Sequence, residues 1–167
     1  DDWTFGLSGS DLTITDNNSS AFSIIGTITG ATGDGTTTVT IPLSQFSGDV
    51  VVSTQGGDDT LTFDATFDIA TTRGVIVNAG AGADTVTWNA TAQLASLDVT
   101  AETINLNSGT INTGTGDQAY NGAVVLSADT TLTAADVTFA DTVDRASAAP
   151  TNLAAGATYS YTTLLPG

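Results

Sequence analysis

The sequence predicts an all-β fold, a parallel β-helix of about six or seven coils. Three observations carry the expectation. Short apolar runs alternate with Thr or Asn at period two, as half-buried strands require. Clusters of Gly, Asp and Asn separate the runs, as turns require. Finally, a unit of 25 residues repeats without a gap, so that Val50–Thr66 lies over Val75–Thr91.

The alternating runs include Leu12-Thr13-Ile14-Thr15, Thr38-Val39-Thr40-Ile41, Leu61-Thr62-Phe63, Val86-Thr87-Trp88, Ile104-Asn105-Leu106 and Val137-Thr138-Phe139. No helical periodicity lasts a dozen residues. In the repeat, Val50 and Val52 match Val75 and Val77, Gly57 matches Gly82, and Asp59-Thr60 matches Asp84-Thr85. Phe63 matches Trp88, the place of a stacked core layer. Each unit reads strand, Gly/Asp turn, strand and a longer return.

A shortened third copy runs from Leu97 to Asn107, turning at Ala101-Glu102. A fourth is expected at Val124–Ser127, turning at Ala128-Asp129 into Thr130–Thr133. Upstream, the runs 23–28 and 36–41 flank another Gly/Asp turn. Coils of about 25 residues, stacked about 4.8 Å apart, give a solenoid roughly 30 Å long. A β-sandwich is the competing architecture, but its successive strands change sheet and need not repeat in register.

Three regions are expected. Residues 1–48, with Trp3, Phe5, Phe22 and Phe46, read as an N-terminal β cap. Residues 49–145 hold the β-helix repeats. Residues 146–167 read as a linker followed by a strand around Tyr159–Tyr161.

Composition narrows the function. Eighteen acids against two arginines give a net charge of −16, and there is no Cys, His, Lys or Met. Disulfides, zinc–sulfur sites, Schiff-base chemistry and histidine general bases are therefore excluded. Nucleic acid and anionic membrane surfaces repel such a chain. No apolar run approaches the roughly 20 residues of a membrane span. The chain opens at Asp1 with no signal-peptide pattern, which suggests a processed protein or an excised segment.

Residues 75–88, Val-Ile-Val-Asn-Ala-Gly-Ala-Gly-Ala-Asp-Thr-Val-Thr-Trp, resemble repeats of large bacterial surface proteins. So do stretches of 103–145 such as Ile104-Asn105-Leu106-Asn107-Ser108-Gly109. The likeness, over roughly 50–145, is to β-strand-repeat, filamentous-haemagglutinin-like adhesins. It implies a right-handed parallel β-helix on the cell surface.

Gly80-Ala81-Gly82-Ala83-Asp84-Thr85-Val86 also resembles the core of the RTX-type calcium repeat, G-x-G-x-D-x-U. Its partner turn, Gln55-Gly56-Gly57-Asp58-Asp59-Thr60-Leu61, keeps Gly57, Asp59 and Leu61 but departs at Gln55. Glycines let a turn present carbonyls and Asp adds a carboxylate, which together suit calcium. Two stacked carboxylates about 5 Å apart repel by about 1 kcal/mol in water, and by about 3 at an effective dielectric of 20. Two readings stand for Gly57, Asp58, Asp59, Gly80, Gly82 and Asp84: calcium ligands, or a turn whose Asp residues cap its backbone N–H groups. RTX rolls repeat every nine residues, whereas this spacing is 25.

The acid pairs Asp58/Asp59 and Asp141/Asp144, with Arg73 and Arg145, are the only catalytic candidates, and they read better as solvated turn residues. The chain is therefore expected not to be an enzyme. Trp3, Trp88, Tyr120, Tyr159 and Tyr161 offer a sugar-stacking surface or, for Trp88, a core layer. Open β-helix ends are templates for strand pairing.

The expected function is thus an extracellular structural module of a surface layer, filament or adhesin. It would assemble head to tail with copies of itself. Trp3, Phe5, Leu12, Ile14, Tyr159 and Tyr161 are the candidate contact residues. A glycan- or host-binding adhesin fragment is the alternative.

Overall fold

A computed structural model of the chain describes residues 1–22 and 28–146, and the backbone of Leu153–Ala155 and Tyr159–Tyr161. Strands β1 (Asp2–Ser8), β2 (Asp11–Asp16) and β3 (Thr38–Pro42) form an antiparallel meander, followed by a 3-10 turn at Leu43–Gln45. From there every pairing is parallel. The first coil carries β4 (Val50–Ser53) and β5 (Thr60–Phe63). The second carries β6 (Val75–Asn78), β7 (Thr85–Trp88) and β8 (Ala92–Gln93). The third carries β9 (Leu97–Leu106) and β10 (Thr110–Asn112), and the fourth β11 (Gln118–Leu126) and β12 (Thr130–Thr133). The fifth carries β13 (Val137–Phe139), β14 (Val143–Arg145) and β15 (Leu153–Ala155), and β16 (Tyr159–Tyr161) lies on β13.

The strands stack in three columns. One runs β4, β6, β9, β11, β13, β16; the second runs β5, β7, β9, β11, β14; the third runs β8, β10, β12, β15. Strands β9 and β11 bend to serve two columns, and β11 is bulged between Asn121 and Ala123. This is a β-solenoid of about five turns. The 25-residue repeat is its stacking register: Val50 pairs with Val75 and Phe63 with Trp88.

Two sequence expectations need correction. The coils number about five rather than six or seven, because the first strands do not coil. Strand β3 runs antiparallel to β2, and β1 caps β5 in parallel with Phe5 over Phe63. Period-two alternation is the same in either pairing, so it could not tell them apart. The fourth repeat is also shifted by one column. Val124–Leu126 pairs with Ile104–Leu106 and is a second strand, whereas Thr130–Thr133 belongs to the third column.

The core lies inside the coils. Leu61, Val86, Ile104 and Val124 stack as one fully buried aliphatic ladder. An aromatic ladder runs beside it. Phe5, Phe63 and Trp88 stack at centroid spacings of 4.9 and 4.5 Å, and Phe67 meets Phe63 and Trp88 edge-on. Each such side chain contributes about 1.5–3 kcal/mol of hydrophobic stabilisation. Tyr120 stacks on Phe139 at 5.2 Å, and its hydroxyl donates to Gln118 Oε1. Burial pushes the Tyr120 phenol above its ordinary pKa.

Candidate functional site

The Gly/Asp turns of the first two coils lie directly over one another. Ala81 N–H donates to the Gln55 carbonyl at 3.1 Å, and Gly57 N–H donates to the Ala81 carbonyl at 3.0 Å. Such close stacking explains two of the glycines. A Cβ on Gly80 would stand 2.0 Å from the Gln55 oxygen, and one on Gly82 would stand 2.0 Å from the Gly57 oxygen. Gly57 is left-handed, with φ 111°, a conformation glycine adopts without strain.

Where the turn enters β5 and β7, the acids form a ladder. The main-chain nitrogen of Asp1 donates to Asp59 Oδ1, that of Asp59 to Asp84 Oδ1 at 2.9 Å, and that of Asp84 to Glu102 Oε2 at 3.0 Å. Each carboxylate thus caps the residue one coil below. Asp58 points the other way a residue earlier, accepting from Ala83 N–H of the coil above at 2.9 Å. Sequence reasoning missed Glu102 as a rung, because its turn is shorter. The signal was an acid–Thr dipeptide: Asp59-Thr60, Asp84-Thr85 and Glu102-Thr103 share one register. Above Glu102 the ladder breaks at Gly122, where a hollow of about 360 Å³ opens between Glu102 and Asp141.

The ladder sets the electrostatics. Asp59 and Asp84 are 3% and 1% exposed, and the Oδ2 atom of each is buried with no partner among the described residues. Burial pushes the Asp59 carboxyl up, but the hydrogen bond of the Asp1 nitrogen, the nearby Thr54 hydroxyl and the positive charge of that nitrogen outweigh it, and the net shift is downward. Exposed Glu102 is also held below its ordinary value, first by the Asp84 N–H.

The turn residues therefore meet in one stack, with Asp58, Asp59 and Asp84 capping backbone amides. Among the described residues, no three acidic side chains converge in a metal-binding group. Asp141 and Asp144 are exposed, with Asp141 Oδ1 accepting its neighbour's Thr142 N–H.

The proposed contact residues divide differently. Phe5 and Leu12 are buried at 1% and 3%, so packing within the chain consumes them. The segment they belong to is paired too, with β1 held between β2 and β5. It is therefore a cap on its own solenoid, not a free donor strand. Trp3 and Ile14 stay half-buried. With Phe22 and β4 they line an apolar groove of about 270 Å³. Tyr159 and Tyr161 form β16, but their side chains lie outside the described residues. Strand β4 pairs only with β6 among the described strands, and Val51, midway along it, is 68% exposed.

Arg73 was expected to be a solvated turn residue and is instead a clamp. Its Nη2 donates to the Leu43 and Phe46 carbonyls at 2.7 and 2.8 Å, and its guanidinium lies 5.0 Å over the Phe46 ring.

Comparison with curated proteins and with solved structures gave no match. Comparison with family models gave one, the Toastrack DUF4097 model, over residues 2–152. That span takes in the meander, the Gly/Asp turns and the stacked coils together, and the chain belongs to the Toastrack DUF4097 family of β-solenoid repeat domains.

Proposed function

We propose that the chain is a non-enzymatic structural module, a β-solenoid unit of an extracellular filament, surface layer or adhesin, that joins further copies end to end. The observation that carries this reading is the edge of β4 at one end of the solenoid, open among the described strands, with Val51 exposed beside the Trp3–Phe22 groove. Strand β14, at the other end, pairs only with β11 among the described strands, which leaves its outer edge open among them as well. Open edges at opposite ends make a heterologous contact, which propagates instead of closing. The adhesin likeness of the repeats supports the surface location. The charge of −16 opposes assembly at low salt.

Sedimentation velocity and negative-stain microscopy across protein concentration and salt test this. Rods that lengthen with both are expected. Val51→Pro removes an N–H that faces the outer edge, since Val50 and Thr54 N–H donate to the coil above and the odd-numbered residues between alternate away from it. It is expected to leave single solenoids. A wild-type chain that stays monomeric throughout, or a Val51→Pro variant that assembles equally, would overturn the reading.

A further inference from the structure

We infer that the Asp59/Asp84 stack is a binding site for one calcium-like cation, held between the Oδ2 atoms of the two carboxylates. These atoms are the reason. Each Asp spends Oδ1 on a nitrogen of the coil below, and each leaves Oδ2 sealed from solvent with no partner among the described residues. A buried carboxylate oxygen without a donor is among the costliest groups a fold can hold. Here two occur in successive coils of one column, with Glu102 on the next coil up.

Among the described residues no side chain donates to them. Arg73 is bound to the Leu43 and Phe46 carbonyls, and Arg145 lies on exposed β14. Thr54, whose hydroxyl lies near Asp59, gives its proton to the Ala79 carbonyl at 2.7 Å. A bridging water would supply protons but no charge, and the Asp1 nitrogen pairs with Asp59 alone, which leaves the Asp84 charge in place. A cation answers both needs at once.

The coil spacing favours calcium. An ion midway between groups stacked about 4.8 Å apart stands about 2.4 Å from each. That is a calcium–oxygen distance, and it exceeds the roughly 2.0–2.1 Å that magnesium demands. Calcium also accepts irregular oxygen sets, which the two carboxylates of a stacked turn can begin.

The test uses the full chain stripped with EDTA. Calorimetric titration with CaCl2 is expected to show one saturable site. The thermal midpoint is expected to rise by several degrees in CaCl2 over NaCl of equal ionic strength, and by less in MgCl2. Asp84→Asn and Asp59→Asn each keep a capping oxygen and remove one charge. Both are expected to lose the saturable rise. In EDTA Asp84→Asn is expected to melt no lower than wild type, whereas Asp59→Asn also loses its ion pair with the Asp1 nitrogen. Asp144→Asn, which removes a charge from an exposed strand residue, is expected to keep it. A midpoint that follows ionic strength alone, an equal response to MgCl2, or a saturable rise that survives in a folded Asp variant would overturn the proposal. Should neither Asp variant fold, the wild-type titration decides, and the absence of a saturable site would overturn it.

Discussion

Gln55 and Gly80 hold the same position in successive coils, and both are left-handed, with φ of 73° and 96°. The stacking explains why one is Gln. A Cβ at Gly80 would run into the Gln55 carbonyl below it, whereas Gln55 is exposed in the lowest coil turn. The left-handed conformation still costs a non-glycine residue about 1–2 kcal/mol. Gln55→Gly relieves that and adds about 0.5–1 kcal/mol of glycine entropy loss. A net stabilisation of about 0.5–1 kcal/mol is expected in denaturant unfolding. Gly80→Ala adds both strain and collision, and is expected to cost about 3 kcal/mol or more.

Trp88 illustrates how a repeat position tolerates change. Its ring continues the Phe5–Phe63 stack, but its indole N–H is buried without a partner among the described residues. Trp88→Phe copies the residue one coil below. It loses contact area and also removes an orphaned donor that costs about 1–3 kcal/mol. A change within about 1 kcal/mol is expected, against a loss of about 3–5 for Trp88→Ala. Denaturant unfolding followed by circular dichroism separates the two, and equal losses would contradict the offset.

The parallel, in-register coil explains what was readable in the chain. When Val75 sits on Val50 and Trp88 on Phe63, each residue meets nearly the surroundings its predecessor met, so the repeat is written without gaps. The coil count was not readable, because Leu12–Thr15 alternates as well in an antiparallel meander as in a coil. Glu102 escaped because its turn is four residues shorter and the return before it three shorter, which together put it 18 residues from Asp84 instead of 25. The partners of Arg73 are main-chain carbonyls 27 and 30 residues away, and a carbonyl leaves no mark in side-chain sequence. The open Oδ2 atoms of Asp59 and Asp84 depend on burial, which alternation alone does not grade.

Arg73 ties the 3-10 turn to the return loop of the first coil, so its loss should act locally. Two charge-assisted hydrogen bonds and a half-exposed cation–π contact suggest a cost of about 2–3 kcal/mol for Arg73→Ala. Arg73→Lys is expected to recover part of it, since one ammonium reaches a carbonyl but lacks the planar fork. Hydrogen exchange should show faster exchange at residues 43–46 than at β7 in Arg73→Ala. Uniform loss of protection through all coils would mean that the contact is part of the global core.

Glu102 closes the carboxylate ladder, and its pKa gives that role a sign. The Asp84 N–H holds the Glu102 carboxyl below its ordinary value of 4.5 in the folded chain. Unfolding releases that hold, so the unfolded chain binds the proton more readily. The contribution of Glu102 is therefore complete above about pH 4.5 and fades as pH falls through the lowered folded value. Asp59 acts in the same direction from its ordinary value of 3.8 downward. Glu102→Gln keeps an oxygen that accepts the Asp84 N–H but no longer titrates. Denaturant midpoints measured between about pH 6 and pH 3 should fall less steeply for Glu102→Gln than for wild type. Parallel curves would mean that the Asp84 N–H bond does not distinguish the charged from the neutral carboxyl.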